Sequence, residues 1–215
     1  MRHEPRVGDN LNAVGQLAPD DADEITDVFL DGGDFNGLAL DRVTFVRCRI
    51  AGARLAGASL ARARLTDVEF VRCDLVSADL SEATLLRARF TDCRMRSVEL
   101  ARATLRSVAF ADCTLDDANL RFAALDSVAF ESSTLVGVDF AGARLVDATF
   151  DGADLRGAEF SQASCERVDL RGARLDDIRG ATALSGATVA PEQLVVLAPS
   201  LASAVGLIVR PAGEQ

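Results

Sequence analysis

From Leu30 to Leu175, every fifth residue of this 215-residue chain is Leu, Phe, Ile or Met, with Cys165 the one exception. Thirty consecutive positions keep this register without an insertion or deletion. Two residues before each stands a second, smaller set, typified by Ala53, Ala58, Ala63, Val68, Cys73, Ala78, Ala83 and Ala88, with Gly33, Leu38 and Ser133 as departures. The other three positions are mostly Asp, Glu, Arg, Ser, Thr, Asn and Gly. No ordinary element accommodates a period of five. On an α-helix each fifth residue advances by about 500°, so the large apolar residues would wander around the cylinder. Along a continuous strand an odd period sends successive ones to opposite faces. Both apolar sets stay inside only if the chain turns a corner every five residues and each coil stacks on the next, as in a solenoid.

The coil size is legible as well. Phe70, Phe90, Phe110, Phe130 and Phe150 recur at twenty, as do Cys73, Cys93 and Cys113, so four pentapeptides make one square coil that stacks like on like. Thirty pentapeptides then give 7.5 coils, a rod of roughly 36 Å at the spacing of hydrogen-bonded strands. The units ADLSE at 78–82, ANLRF at 118–122 and ADLRG at 153–157 carry the motif A-(D/N)-L-x-x. Through them the chain resembles the pentapeptide-repeat family over about 150 of its residues. The resemblance implies an all-β solenoid, a right-handed quadrilateral parallel β-helix. Nine corner positions are Gly (32, 37, 52, 57, 137, 142, 152, 157 and 172), a residue that tolerates the positive φ of tight turns.

A stack of strands needs covers at its two ends, where backbone groups would otherwise go unpaired. Residues 1–24 have no repeat and are expected to form a mobile tail with, at most, a short cap; 25–180 form the β-helix; and 181–215 form a helical segment for capping and dimerisation. Pro191 suits a first helical turn with Glu192 beside it, whereas Pro199 predicts a kink or a split into two helices. Leu194, Leu197, Leu201 and Val205 are expected to share one apolar face. Such a face left over from capping tends to find a partner, and the family resemblance implies a homodimer joined through the C-terminal ends.

Little in the chain can do catalysis. There is no Lys, Trp or Tyr, and the single histidine is His3, so no Ser/His or Cys/His pair and no Schiff-base lysine can be assembled. The reading is a non-enzyme without cofactor or metal. Cys73, Cys93 and Cys113, followed by Ser133, would fall in one inward column. Parallel Cβ vectors suit a disulfide poorly, and three collinear thiols without a His or carboxylate make a poor zinc site. Packing is the expected role, with burial raising the thiol pKa values. Five cysteines cannot form a complete disulfide set. With no signal-like or membrane-length apolar run, a soluble cytoplasmic protein is expected.

The surface carries more information. One outward column reads Asp34, Arg54, Asp74, Arg94, an alternation expected to form a solvated salt ladder. The next face reads Asp79, Glu99, Asn119, Asp139, Glu159, with no intervening Arg, and Arg62 and Arg102 stand with Glu82 at the following corner. Like charges one coil apart cost stability, so this column asks for a partner or a reason, solubility being the plain alternative to a binding role. Residues 28–107 hold 13 Arg and 10 acids, a net of +3, while 108–177 hold 6 Arg and 14 acids, a net of −8. Over about 3.5 coils the second half carries one net negative charge per ~2 Å, close to the ~1.7 Å of duplex DNA. A net charge of −10 argues against direct nucleic-acid binding.

The members this chain resembles are the quinolone-resistance pentapeptide-repeat proteins, dimeric rods that imitate DNA and bind type II topoisomerases such as DNA gyrase. The resemblance implies such a partner here, with Asp79, Glu99, Asp139 and Glu159 as the contact column and possession of quinolone resistance as a consequence. One departure weakens that consequence, since the unbroken register leaves no room for the loops that some protective members project. The alternative is an interaction scaffold for an unrelated protein, to which exposed Val46, Leu86, Phe122 and Val146 would contribute, because fold alone does not determine function.

Overall fold

The computed structural model describes residues 4–8, 11–14 and 24–208. Twelve strands among them form one parallel sheet wound into a solenoid of about seven turns. They are β1 (Asn12–Val14), β2 (Glu24–Thr26), β3 (Val28–Asp31), β4 (Thr44–Ala51), β5 (Arg64–Val71) and β6 (Thr84–Thr91). There follow β7 (Thr104–Arg106), β8 (Ala109–Ala111), β9 (Ala124–Asp126), β10 (Ala129–Glu131), β11 (Arg144–Val146) and β12 (Ser164–Glu166). From β2 to β12 the strands pair with the residue twenty positions on, as in Phe45 with Leu65, Leu65 with Leu85 and Phe70 with Phe90. The twenty-residue coil expected from the Phe and Cys spacing is therefore the observed one.

The corners explain how a five-residue period closes. Every fifth residue from Asp27 to Asp177 has a positive φ, and these positions account for all 22 non-glycine residues of left-handed backbone. Gly supplies only nine of the corners; Asp, Ser, Arg, Glu, Gln and one Phe supply the rest. The left-handed region disfavours L-residues by about 1–2 kcal/mol each, so stacking must impose the turn. Two of the four faces carry extended strands, and β4, β5 and β6 each run through a corner without a break. On the other two faces, single bridges such as Asp79 to Glu99 alternate with hydrogen-bonded turns, as where Ala58 N–H donates to Leu55 C=O at 3.0 Å.

The core is a set of columns. Phe70, Phe90, Phe110, Phe130 and Phe150 are fully buried, with successive rings 4.9 to 5.0 Å apart and nearly parallel. Phe140 and Phe160 stack on another face, and Phe140 meets the first column edge-on at Phe130 and Phe150. Cys73, Cys93, Cys113 and Ser133 occupy the inward column expected of them, and all five cysteines are free. Cys73 and Cys93 donate weakly to the C=O groups of Ile50 and Phe70 one coil back. Cys93 is pushed up to about 12, chiefly by Cys113 beside it, and Cys73 is raised by Cys93 and by burial. Cys113 departs from the expected uniform rise: the Cys93 thiol stabilises its charged form and lowers it.

The N-terminal end carries short-cap contacts, and the C-terminal end differs in detail from expectation. Within the segment read as a mobile tail, β1 pairs in parallel with Val28–Leu30, and the Arg6 N–H donates to the Asp67 carboxylate at 3.1 Å. At the other end a 3-10 turn (Ala181–Leu184) leads into α1 (Gln193–Ala204). Pro199 does not split that helix, which runs unbroken through it. An interior proline removes one helical donor, and docking of the helix on the last coil compensates. Gln193 is the plug: its side-chain amide donates to the C=O groups of Leu170 and Ala173 at 2.8 and 2.7 Å, and its carbonyl accepts from Ala190 N–H. Ser200 donates to Ile178 C=O at 2.8 Å.

Candidate functional site

The inward positions are consumed by packing, so any function lies on the outer columns. Asp79, Glu99, Asn119, Asp139 and Glu159 are in register, each bridged to the next across one coil, and the row ends at Arg179. Alternation of side chains across the sheet forces this placement, because each of these residues directly precedes an inward Leu or Phe. Hydrogen bonding orients the row. Asp79 and Asp139 each accept a backbone N–H two residues on, from Ser81 and Ala141, at 2.8 Å. Glu99 accepts from the Asn119 amide at 2.7 Å.

The row is less bare than the sequence implies. Arg121 reaches Asp139 at 3.0 Å and Arg179 reaches Glu159 at 2.8 Å. Neither arginine lies between the acids in the column; one comes from the adjoining corner and the other from beyond its end. Glu159 is partly desolvated, which alone would raise it, yet the Ser161 N–H and Arg179 hold its carboxyl below the ordinary glutamate value. Exposed pairs of this kind contribute about 0–1 kcal/mol each, so they orient the acids more than they stabilise the fold.

Ion pairs cover much of the remaining surface. The expected ladder forms as two pairs, Arg54 with Asp34 at 2.6 Å and Arg94 with Asp74 at 3.3 Å. Others span one coil in the same way, including Arg62 with Glu82, Arg87 with Asp67 and Arg167 with Asp147. Of the apolar residues expected at the surface, Phe122 is exposed, Val46 and Leu86 are half-buried, and Val146 is buried. Val146 is paired between Asp126 and Glu166 in a continuous three-strand row, and neighbouring side chains cover it.

The C-terminal apolar set divides. Leu197 is buried against the last coil, whereas Leu194, Leu201 and Val205 are exposed together with Val195, Leu207 and Ile208. The four residues expected on one face therefore serve two sides: Leu197 caps, and the other three look outward. Among the described residues no group of His, Cys, Asp and Glu is arranged to hold a metal ion, and no helix is long and apolar enough to cross a membrane. His3 lies outside the described residues. Sequence reasoning missed Gln193 and the arginine partners of the column; only the eighteen- and twenty-residue offsets to Asp139 and Glu159 could have signalled the latter.

A parallel coil of five-residue edges, with stacked Phe inside and charged columns outside, defines a class of solenoid that displays side chains in rows one strand spacing apart. The family model described as pentapeptide repeat region matches residues 63–140 and 108–179, and that described as pentapeptide repeats (8 copies) matches 44–81. The chain belongs to the pentapeptide-repeat family. No curated protein matches it by sequence.

Solved structures similar to it include HetL of the cyanobacterium Nostoc sp. strain PCC 7120, a protein involved in heterocyst differentiation regulation, at 21% identity and a TM-score of 0.46 over 78% of this chain and 87% of that one. Full-length QnrB1, a plasmid-mediated fluoroquinolone resistance protein, aligns at 18% identity and a TM-score of 0.48, over 83% of this chain and 99% of its own. A trypsin-treated form of QnrB1 aligns at 25% identity and a TM-score of 0.45, over 88% and 91%. Those roles are properties of those proteins.

Proposed function

We propose that this protein is a non-enzymatic, acidic β-helical rod that occupies the DNA-binding surface of a DNA-handling enzyme, a type II topoisomerase of the gyrase kind, and inhibits it. The observation that carries the reading is the in-register acidic row Asp79, Glu99, Asp139 and Glu159, whose last two acids lie in a half-rod with a net charge of −8 over residues 108–177, which approaches the linear density of duplex DNA. A homodimer through the exposed Leu194, Leu201 and Val205 would join two such halves into one central acidic block. The protein would act in the cytoplasm, where such a partner works. The proposal covers binding and inhibition; residues 27–177 keep their corner register throughout and offer no projecting loop with which to shield the enzyme from a quinolone.

A supercoiling assay with purified gyrase tests this. Wild type is expected to inhibit at micromolar dimer, and the double reversal Asp139→Arg with Glu159→Arg is expected to abolish inhibition. That reversal also breaks two ion pairs, so Asp74→Arg, which breaks the Arg94 pair outside the row, serves as the control and should inhibit like wild type. No inhibition by wild type, or full inhibition by the double reversal, sinks the proposal. Light scattering checks the dimer, with Leu201→Glu expected to yield monomer.

The exposed Phe122 and the Arg partners of Asp139 and Glu159 favour a second reading, a scaffold that binds an unrelated protein through mixed apolar and polar contacts. Binding that resists added salt would support it, since exposed charge contacts are screened within about 10 Å at 0.1 M salt.

A further inference from the structure

Phe122 is the one apolar side chain among the left-handed corners from Asp27 to Asp177. Its φ is 58° and it is 53% exposed. Positive φ is unfavourable for a bulky residue, and half a phenyl ring in water contributes nothing to the core. The same corner is filled by Glu82 and Arg102 in the two preceding coils and by Gly142 and Gln162 in the two following. Coil geometry therefore does not ask for an aromatic here.

The ring is nonetheless seated. It lies across Gly142 one coil on, where a Cβ would come within 2.5 Å of the ring carbons Cδ1 and Cε1. Glycine at 142 lets the ring rest on backbone and leaves its remaining surface to solvent. The Arg121 guanidinium stands 5.6 Å from the ring centroid while it holds Asp139 at 3.0 Å. A shallow depression lined by Arg121, Phe122, Asp139, Glu159, Gln162 and Arg179 surrounds the ring. The aromatic is thus built into the edge of the acidic row, three residues along the chain from Asn119, whose bridge partners one coil away are Glu99 and Asp139.

We infer that Phe122 anchors an arginine of a partner protein, whose guanidinium lies against the open part of the ring while Asp139 and Glu159, which line the same depression, answer its charge. The inference rests on the reading that the acidic half meets a basic protein surface. A polar, charged rim does not suit an apolar partner side chain, which would leave buried groups unpaired. Arginine stacks on aromatic faces and forks onto carboxylates, whereas the compact, strongly hydrated ammonium of lysine stacks poorly. Arg121 already places a guanidinium near this ring. Arg121 and Arg179 are the nearby like charges, and each is answered within the depression, Arg121 by Asp139 and Arg179 by Glu159.

The test uses the full chain with labelled Phe rings and two probes, acetylated and amidated Gly-Arg-Arg-Gly and Gly-Lys-Lys-Gly. The Phe122 ring signals should shift with both and saturate at about two- to fivefold lower concentration with the arginine peptide. Phe122→Ser should erase that preference. Serine fits, because Ser77, Ser97, Ser127 and Ser132 hold the same left-handed backbone, and an unchanged melting temperature confirms the fold. Equal binding of the two peptides, or a preference that survives Phe122→Ser, overturns the inference. In the gyrase assay, Phe122→Ser should raise the inhibitory concentration about tenfold if the ring is a hot spot, and an unchanged value also overturns it. If wild type does not inhibit gyrase, the topoisomerase reading fails by itself, and the peptide titration still decides the anchor.

Discussion

The stacked phenylalanine column makes a quantitative prediction about position within the stack. Phe110 is fully buried and lies 5.0 Å from Phe90 on one side and 5.0 Å from Phe130 on the other, with interplanar angles of 11° and 6°. Phe110→Ala should destabilise by about 3–5 kcal/mol, through lost burial and the cavity it leaves. Phe110→Leu keeps most of the apolar volume and removes two ring contacts, each worth about 0.5–1.5 kcal/mol beyond area. Phe70 is the informative comparison. It is equally buried but has one stacked neighbour, Phe90 at 4.9 Å, because Ile50 occupies the preceding coil. Phe70→Leu should therefore cost less than Phe110→Leu by about one ring contact, 0.5–1.5 kcal/mol. Urea unfolding followed by circular dichroism measures all three, with unchanged slopes showing that the same surface unfolds. If Phe70→Leu costs as much as Phe110→Leu, or if Phe110→Ala costs under about 2 kcal/mol, the column is not a cooperative stack and the reasoning fails.

Asp67 is buried and accepts from Arg87 at 2.6 Å through both carboxylate oxygens, which lowers its pKa. A carboxyl lowered in the folded state contributes stability that is complete above the unfolded value of about 3.9 and is lost as pH falls through the folded value. Wild type should thus show a steeper loss of urea midpoint below pH 4 than Asp67→Asn, and parallel curves would refute this; at pH 7 the substitution should cost about 1–3 kcal/mol. Gln193→Leu should remove the side-chain amide from the Ala173 carbonyl and leave the Leu170 carbonyl with the Ala173 N–H alone, costing about 1–3 kcal/mol. Amide exchange in the final coil should accelerate while Phe90 and Phe110 stay protected; uniform acceleration would show that the plug acts globally.

The repeat was legible because a solenoid writes its geometry into the chain at fixed intervals. Leu, Phe and Ala at two fixed offsets specified the inward columns, and the twenty-residue return of Phe and Cys specified the coil. The corners were legible chiefly at Gly, since Arg47, Arg87 and Phe122 have no intrinsic preference that marks left-handed backbone; the stack imposes it on them. The acidic row was readable as a column but not as a set of ion pairs. Arg121 meets Asp139 across a corner and Arg179 meets Glu159 from the next coil, contacts that depend on side-chain reach.

At the C-terminus the limit is sharper. Leu194, Leu197, Leu201 and Val205 look alike as a hydrophobic pattern, and Pro199 looks like a break. Docking decided otherwise, because Gln193 and Ser200 bind carbonyls of the last coils, hold the helix through the proline, and turn Leu197 inward while leaving the other three exposed. What the chain determined by itself was therefore everything periodic, since each coil repeats the same local choice and packs on its like. The tertiary structure alone decided the pairing of the surface charges, the seat of Phe122 on Gly142 and the division of the terminal helix, because each depends on which side chains meet across coils at one particular place.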